Sequence, residues 1–241
     1  MRDIMDLHTH TIASGHAYCT INEMVAAAQQ KGLKLFGITE HAPKMPGSCD
    51  SIYFCNFRAL PRERENITVL FGTELNVTSY EGTVDLSEEL LEEMDIVIAS
   101  LHTPCIKPGS AEENTRAYLK VMENPYLNIV GHPDDVRYPI YYRPIVESAK
   151  EHGLLLEMNN SSLKPNGFRG DCRERYREML TLCMEYEQPI LLDSDAHVDI
   201  AVGDHSYAWD LIEELQFPEA LIVNTSVEKV KPYLNYFKRK K

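Results

Sequence analysis

The chain has 241 residues, 44% of them hydrophobic, which is enough to bury the core of one α/β barrel. Its net charge of −13 argues against nucleic acid held on a broad basic surface and against an anionic membrane. Its six cysteines include no C-x-x-C pair, and no run of 18 apolar residues occurs, so we expect reduced thiols in a soluble, cytoplasmic protein.

Apolar runs of strand length recur along the chain, and most precede a helical pattern. Strands are predicted at residues 1–7, 33–39, 67–75, 96–101, 127–131, 154–158 and 190–193, with a strand-like run at 220–223. Helices are predicted at residues 20–31, 88–93, 111–123, 143–152, 171–187, 206–215 and 226–236. This alternation predicts a parallel sheet covered by helices. Because the polar residues collect at one end of all seven strands, a barrel is favoured, and we expect residues 1–241 to form one domain.

Histidines mark the ends of these strands. The first strand leads into His8 and His10, and side chains two residues apart on a strand project from the same face. Seven of the nine histidines lie at or just after strand ends: His8, His10, His16, His41, His102, His132 and His197. Glu74 and Asp195 occupy matching positions.

Imidazole nitrogens combined with a few carboxylates suit Zn²⁺, with Fe or Mn as alternatives. Nine ligands are too many for one tetrahedral ion and suit two or three. Neighbouring metal ions can share a hydroxide and stabilise in-line displacement at phosphorus, so the pattern favours a metal-dependent hydrolase acting on a small phosphorylated substrate. Arg137, Lys164 and Arg169 follow the fifth and sixth strands and are candidates for phosphate binding, with ordinary surface charge as the alternative.

The motifs around these residues resemble the PHP (polymerase and histidinol phosphatase) family, especially its YcdX-like bacterial phosphatases. They are Asp6-Leu7-His8-Thr9-His10, His16, Ile38-Thr39-Glu40-His41, Gly72-Thr73-Glu74, Ser100-Leu101-His102, Gly131-His132-Pro133 and Ser194-Asp195-Ala196-His197. The resemblance implies a distorted (β/α)7 TIM-like barrel with a trinuclear, usually zinc, centre at the carboxyl ends of the strands. It also implies phosphoric monoester hydrolysis by a metal-bound hydroxide. Many family members have Asp where this chain has Glu40.

The resemblance also implies three ligand sets. One metal takes His8, His10, Glu74 and Asp195; a second takes His16, His41 and His197; a third takes Glu74, His102 and His132. Glu74 bridges two metals. For a phosphatase mechanism, we separately expect Asp195 to accept or relay a proton in addition to binding metal.

Three alternatives remain open at this point. An amidohydrolase-like C–N hydrolase also opens with H-x-H, but it usually has a lysine at the end of the fourth strand, where this chain has His102. A phosphodiesterase or nuclease is disfavoured by the acidic charge. A non-enzymatic metal-binding module would hold its metals with no open coordination position. The sequence favours no particular oligomeric state.

Overall fold

A computed structural model describes residues 3–165 and 167–240. Residues 1 and 2 of the predicted first strand lie outside the described part. Seven parallel strands form a nearly closed barrel in the order β1-β2-β4-β5-β6-β7-β8, and the short β3 pairs antiparallel with β4. The strands are β1 (Met5–Asp6), β2 (Leu35–His41), β3 (Glu63–Arg64), β4 (Ile67–Asn76), β5 (Ile96–Ser100), β6 (Ile129–Val130), β7 (Leu155–Asn159) and β8 (Ile190–Asp193). The predicted α/β barrel is confirmed.

The barrel closes between β1 and β8 through a few polar contacts. The backbone N–H of Leu7 donates to Asp193 Oδ1 at 2.6 Å, and that of His10 donates to the carbonyl of Ala196 at 2.9 Å. Across the same seam, Ser194 N donates to Asp6 Oδ1 at 3.1 Å. These bonds place the segment after β1 beside the segment after β8, although the two segments are nearly 190 residues apart in sequence.

The helices are α1 (Ile21–Gln30), α2 (Ser51–Cys55), α3 (Glu88–Glu93), α4 (Ala111–Met122), α5 (Tyr142–His152), α6 (Arg173–Tyr186), α7 (Ser206–Glu214), α8 (Val227–Val230) and α9 (Asn235–Lys238). Capping boxes begin α1 and α4, and Gly153 ends α5 in the left-handed conformation. The predicted helix at 226–236 is divided into α8 and α9, because Pro232 has no N–H to continue the first. The strand-like run at 220–223 is reduced to a single parallel bridge from Ile222 to Ile190 of β8, with 3₁₀ turns at 219–221 and 223–225 on either side.

Two apolar layers follow from the alternation of side chains along the strands. Inside the barrel, Leu35, Ile96 and Leu155 pack with Val230 and Leu234 of the C-terminal segment. The outward-facing side chains pack against the surrounding helices. The C-terminal segment therefore packs against the side chains at the beginnings of the strands, and the opposite, carboxyl end is left for polar residues.

All six cysteines are unpaired. In the described ranges, no helix combines the length and the apolar character needed to cross a membrane.

Candidate metal centre

The nine predicted ligands meet at the carboxyl end of the barrel. Seven are buried, His197 is half-buried, and His16 is exposed at the outer edge, where its Nε2 lies 3.2 Å from His197 Nε2. Parallel strands explain the arrangement, because they end at the same rim of the barrel.

Glu74 lies at the centre of the cluster, with each carboxylate oxygen facing a different set of imidazole nitrogens. Its Oε2 is 2.7 Å from His41 Nδ1, 3.3 Å from His8 Nε2 and 3.5 Å from His10 Nε2. Its Oε1 is 2.9 Å from His132 Nε2 and 3.1 Å from His102 Nε2. A carboxylate in this position can be shared between two ions.

Within the described ranges, three groups of ligand atoms lie close enough to hold an ion, with all atoms in a group within 4.8 Å of one another. The groups are His8, His10 and Glu74; His41, Glu74 and His102; and His10, His41 and His197. The first matches the core of the ligand set implied by the family resemblance. The other two differ from the implied sets, because His41 is close to Glu74 while His16 lies further out.

The buried atoms of the cluster fit a cation. Among the described residues, six side-chain atoms of the predicted ligands are buried and have no hydrogen-bond partner: His8 Nε2, His10 Nε2, His41 Nδ1, His102 Nε2, His132 Nδ1 and Glu74 Oε2. Each such atom carries a desolvation cost of about 1–3 kcal/mol unless something satisfies it. Imidazoles and carboxylates that converge in this way form the donor set that Zn²⁺, Fe or Mn takes.

Buried partners on the other ring nitrogen orient three of the histidines. His8 Nδ1 lies 2.6 Å from Glu157 Oε1, His102 Nδ1 lies 2.7 Å from Asn76 Oδ1, and His10 Nδ1 lies 3.0 Å from Ser14 Oγ. Since each contact takes an N–H at Nδ1, the Nε2 lone pair is left for a metal.

The electrostatics of His41, His10 and Glu74 suit bound cations, whereas the carboxylates around His8 raise its pKa well above the usual value although burial opposes this. Burial lowers the pKa of His41 to about 4, and burial together with His41 and His197 lowers that of His10. Burial opposes ionisation of Glu74, yet the histidines around it, His102 and His8 first among them, hold its pKa well below the usual value. Neutral imidazoles and an ionised carboxylate are the forms that bind metal.

Two ligands adopt backbone conformations that are rare outside glycine. His132 has φ = 26° and Asp195 has φ = 53°, and each lies two residues after the end of a strand. Such strain persists where the surrounding structure fixes it and is common at functional sites. At Gly131, a Cβ would lie 2.1 Å from Ser100 Oγ and 2.8 Å from Ile98 Cγ2, so a side chain before His132 would force these neighbours to shift.

A cavity of about 500 Å³ opens at the cluster, and all three predicted phosphate-binding residues line it. Arg169 is buried, with Nη2 2.9 Å from Asp195 Oδ2, so ordinary surface charge does not describe it. Arg137 is partly buried and forms a forked ion pair with Asp135. Lys164 makes no ion pair within 4.0 Å to any described residue.

The PHP domain model matches residues 6–217, which include the whole cluster. The chain belongs to the PHP domain family.

Relatives support the same assignment. A probable phosphatase of Clostridium novyi is 44% identical over 236 residues, covering 97% of this chain and 95% of the relative. A probable phosphatase of Caldicellulosiruptor saccharolyticus is 45% identical over 230 residues, covering 95% of each. In fold, the chain is similar to histidinol phosphate phosphatase from Lactococcus lactis, solved with zinc, L-histidinol and phosphate. That match has a TM-score of 0.61 and 19% identity, and it covers 90% of this chain and 95% of the other.

Within this PHP domain, Glu40 reaches the ligands indirectly. Its carboxylate accepts from the Ser14 hydroxyl at 2.6 Å, and Ser14 in turn contacts His10. The orienting roles of Ser14, Asn76 and Glu157 were not predicted from the sequence. For Asn76 a signal existed, because it lies two residues after Glu74 on the same face of β4.

Proposed function

We propose that this protein is a metal-dependent phosphoric monoester hydrolase with a trinuclear centre, most simply of zinc. The observation that carries the proposal is the convergence of buried, unpartnered imidazole nitrogens on Glu74, directly below an open cavity with arginines in its wall. Iron or manganese suits the same donor set. The ions would supply an activated water and neutralise charge on the phosphoryl oxygens.

Glu74 is the candidate bridging ligand. It belongs to two of the three ligand groups, and both of its oxygens face ring nitrogens. His10 and His41 are likewise each shared by two groups. This sharing supports a compact centre of three ions rather than separate sites.

Asp195 is the candidate proton acceptor. Its Oδ2 accepts from Arg169 Nη2 at 2.9 Å and from Asn159 Nδ2 at 3.1 Å. Its Oδ1 is left to face His10 Nε2 at 3.3 Å. Although burial disfavours the ionised form, His8 and Arg169 keep the pKa of Asp195 well below its usual range. Asp195 is therefore ionised at neutral pH, which is the form that binds metal. The proposed proton relay rests on its position in the cluster, because a lowered pKa makes a carboxylate a weaker base.

The cavity supports a small phosphorylated substrate. Arg137 and Lys164 lie in its wall, and Arg169 lies deeper, against Asp195. We propose that these cations bind the phosphate and the groups next to it. The names of the relatives, and the phosphate and zinc bound in the Lactococcus lactis neighbour, agree with this substrate class.

Asp195→Ala is the test. The metal-loaded wild type should hydrolyse p-nitrophenyl phosphate, and the variant should lose this activity and bind less metal by elemental analysis. A surface variant, Glu151→Ala on α5, serves as the control. Full activity in Asp195→Ala would refute the assignment. Release of amines from amide substrates without phosphate release would favour C–N hydrolysis instead.

A further inference from the structure

Phe168 is a large apolar side chain that the fold leaves uncovered at the mouth of the cavity. It is 69% exposed and lines the same cavity as Asp195 and His197. Five other large hydrophobic side chains are exposed in the described ranges, and none of them lines this cavity. Apolar surface beside a binding site often marks a contact for the ligand.

The backbone holds Phe168 at the mouth. Gly167 N donates to the carbonyl of Lys164, and Gly170 N donates to that of Gly167, both at 3.1 Å. Gly170 has φ = 86°, a conformation that favours glycine. The loop is joined to the segment after β6 by a bond from Val136 N to the carbonyl of Arg169, at 3.4 Å. These contacts bring Phe168 next to Arg137.

Two guanidinium groups lie against the ring of Phe168, which remains largely exposed. The Cζ of Arg169 lies 4.7 Å from the ring centroid, and that of Arg137 lies 5.1 Å from it. Each arginine is itself fixed by an ion pair, Arg169 to Asp195 at 2.9 Å and Arg137 to Asp135 at 2.5 Å. Cation–π contacts of this kind hold an aromatic ring in place. Phe168 is thus arranged before substrate binds, which lowers the cost of ordering it in the complex.

We propose that Phe168 determines specificity by stacking on a planar ring in the leaving group of the substrate. The inference rests on the proposed phosphatase function and names its substrate class as phosphomonoesters of alcohols that carry a planar ring. In the reaction, water oxygen bonds to phosphorus, the ester P–O bond breaks, and the leaving oxygen takes a proton to give the free alcohol. With the phosphate at the cluster, the alcohol portion points up the cavity toward its mouth, where Phe168 lies.

Benzyl phosphate and cyclohexylmethyl phosphate are the matched probes. Both are esters of primary alcohols with a six-membered ring, so they differ mainly in whether the ring is flat or puckered. Comparing them separates stacking from simple burial of apolar surface, because a saturated ring can be buried but cannot stack.

Three variants of Phe168 test the proposal with metal-loaded protein. Phe168→Ala should lower kcat/KM for benzyl phosphate about tenfold, with a loss of about twofold for the saturated ester. Phe168→Leu, which keeps apolar surface but no flat ring, should bring the ratio of the two kcat/KM values close to one. Phe168→Trp should preserve the preference for the flat ring. Tyr141→Ala is the control, because Tyr141 is a 57% exposed aromatic residue outside the cavity.

The outcomes separate this inference from the proposed function. Equal losses on the two esters in Phe168→Ala would show that the ring serves only to position Arg169, and would overturn the inference. An unchanged ratio with full activity would overturn it as well. If the metal-loaded wild type hydrolyses neither ester nor p-nitrophenyl phosphate, the proposed phosphatase function itself fails. Fluorescence of the single tryptophan, Trp209, confirms that each variant is folded.

Discussion

Replacing Glu157 by Gln should weaken metal binding although Glu157 is not itself among the predicted ligands. Glu157 is fully buried, and its Oε1 accepts from His8 Nδ1 at 2.6 Å while its Oε2 accepts from His132 N at 2.5 Å. Both contacts need an acceptor. A glutamine amide offers only one, so either His8 or the backbone at His132 would face an N–H group.

The expected loss of metal affinity follows from the tautomer of His8. If the amide nitrogen faces Nδ1, the ring proton moves to Nε2, which is the atom directed at Glu74 at 3.3 Å. A protonated Nε2 cannot bind metal. Loss of such an orienting partner typically lowers metal affinity 10- to 100-fold, or about 1.4–2.7 kcal/mol.

Competition with a chromophoric chelator measures this loss directly. Glu157→Gln should release its most weakly held ion at a lower chelator concentration than the wild type, by about one to two orders of magnitude. Glu151→Gln, at an exposed position of α5, is the matched control and should bind metal like the wild type. Metal affinity unchanged in a folded Glu157→Gln variant would refute the reasoning.

Three further predictions concern stability. Asp3 and Asp6 raise the pKa of the buried His205 from 6.5 to about 10, despite the opposing effect of burial. Protonation of His205 should therefore stabilise the folded state by at most about 5 kcal/mol. This stabilisation should be complete below pH 6.5 and should decrease as the pH rises toward 10. In the wild type Tm should fall over this range, and His205→Gln should flatten that decline. Gly72→Ala would place a Cβ 1.8 Å from the carbonyl oxygen of Ile96, and urea unfolding should show a loss of about 1–3 kcal/mol or more. A chelator should lower Tm and added Zn²⁺ should restore it, because metal binds the folded protein; a Tm indifferent to chelator would contradict this.

The barrel and the cluster could be predicted from the sequence because both follow from local patterns. Short apolar runs separated by helical segments predict parallel strands, and a histidine or carboxylate at each strand end predicts a common site, since parallel strands end at one rim. The order of the strands was therefore enough to predict that His8, Glu74 and Asp195 lie in one site.

The orienting residues could not be predicted in the same way. His8 and Glu157 are 149 residues apart, and Ser14 reaches His10 through a 3₁₀ turn whose shape the sequence pattern does not show. The burial of Arg169 could not be predicted either, because it also depends on a residue distant in sequence. Its position in a loop indicated either phosphate binding or a solvated surface, whereas its burial depends on Asp195, from a distant strand end.

The regions that differ from the prediction are those in which apolar residues do not recur at a regular helix or strand spacing. The segment at 42–66 forms α2 and β3, both too short for a recognisable pattern. Near the C-terminus, the apolar residues at 220–223 suggested a strand, but only Ile222 pairs with β8, and Val223 is buried in a 3₁₀ turn.

Phosphate release by metal-free protein titrated with Zn²⁺ is the most direct test of the central claim. The account predicts no release of phosphate from p-nitrophenyl phosphate without metal, and activity that rises with added ions and levels off near three per chain. Equal activity in metal-free protein, or no phosphate release at full metal occupancy, would contradict it.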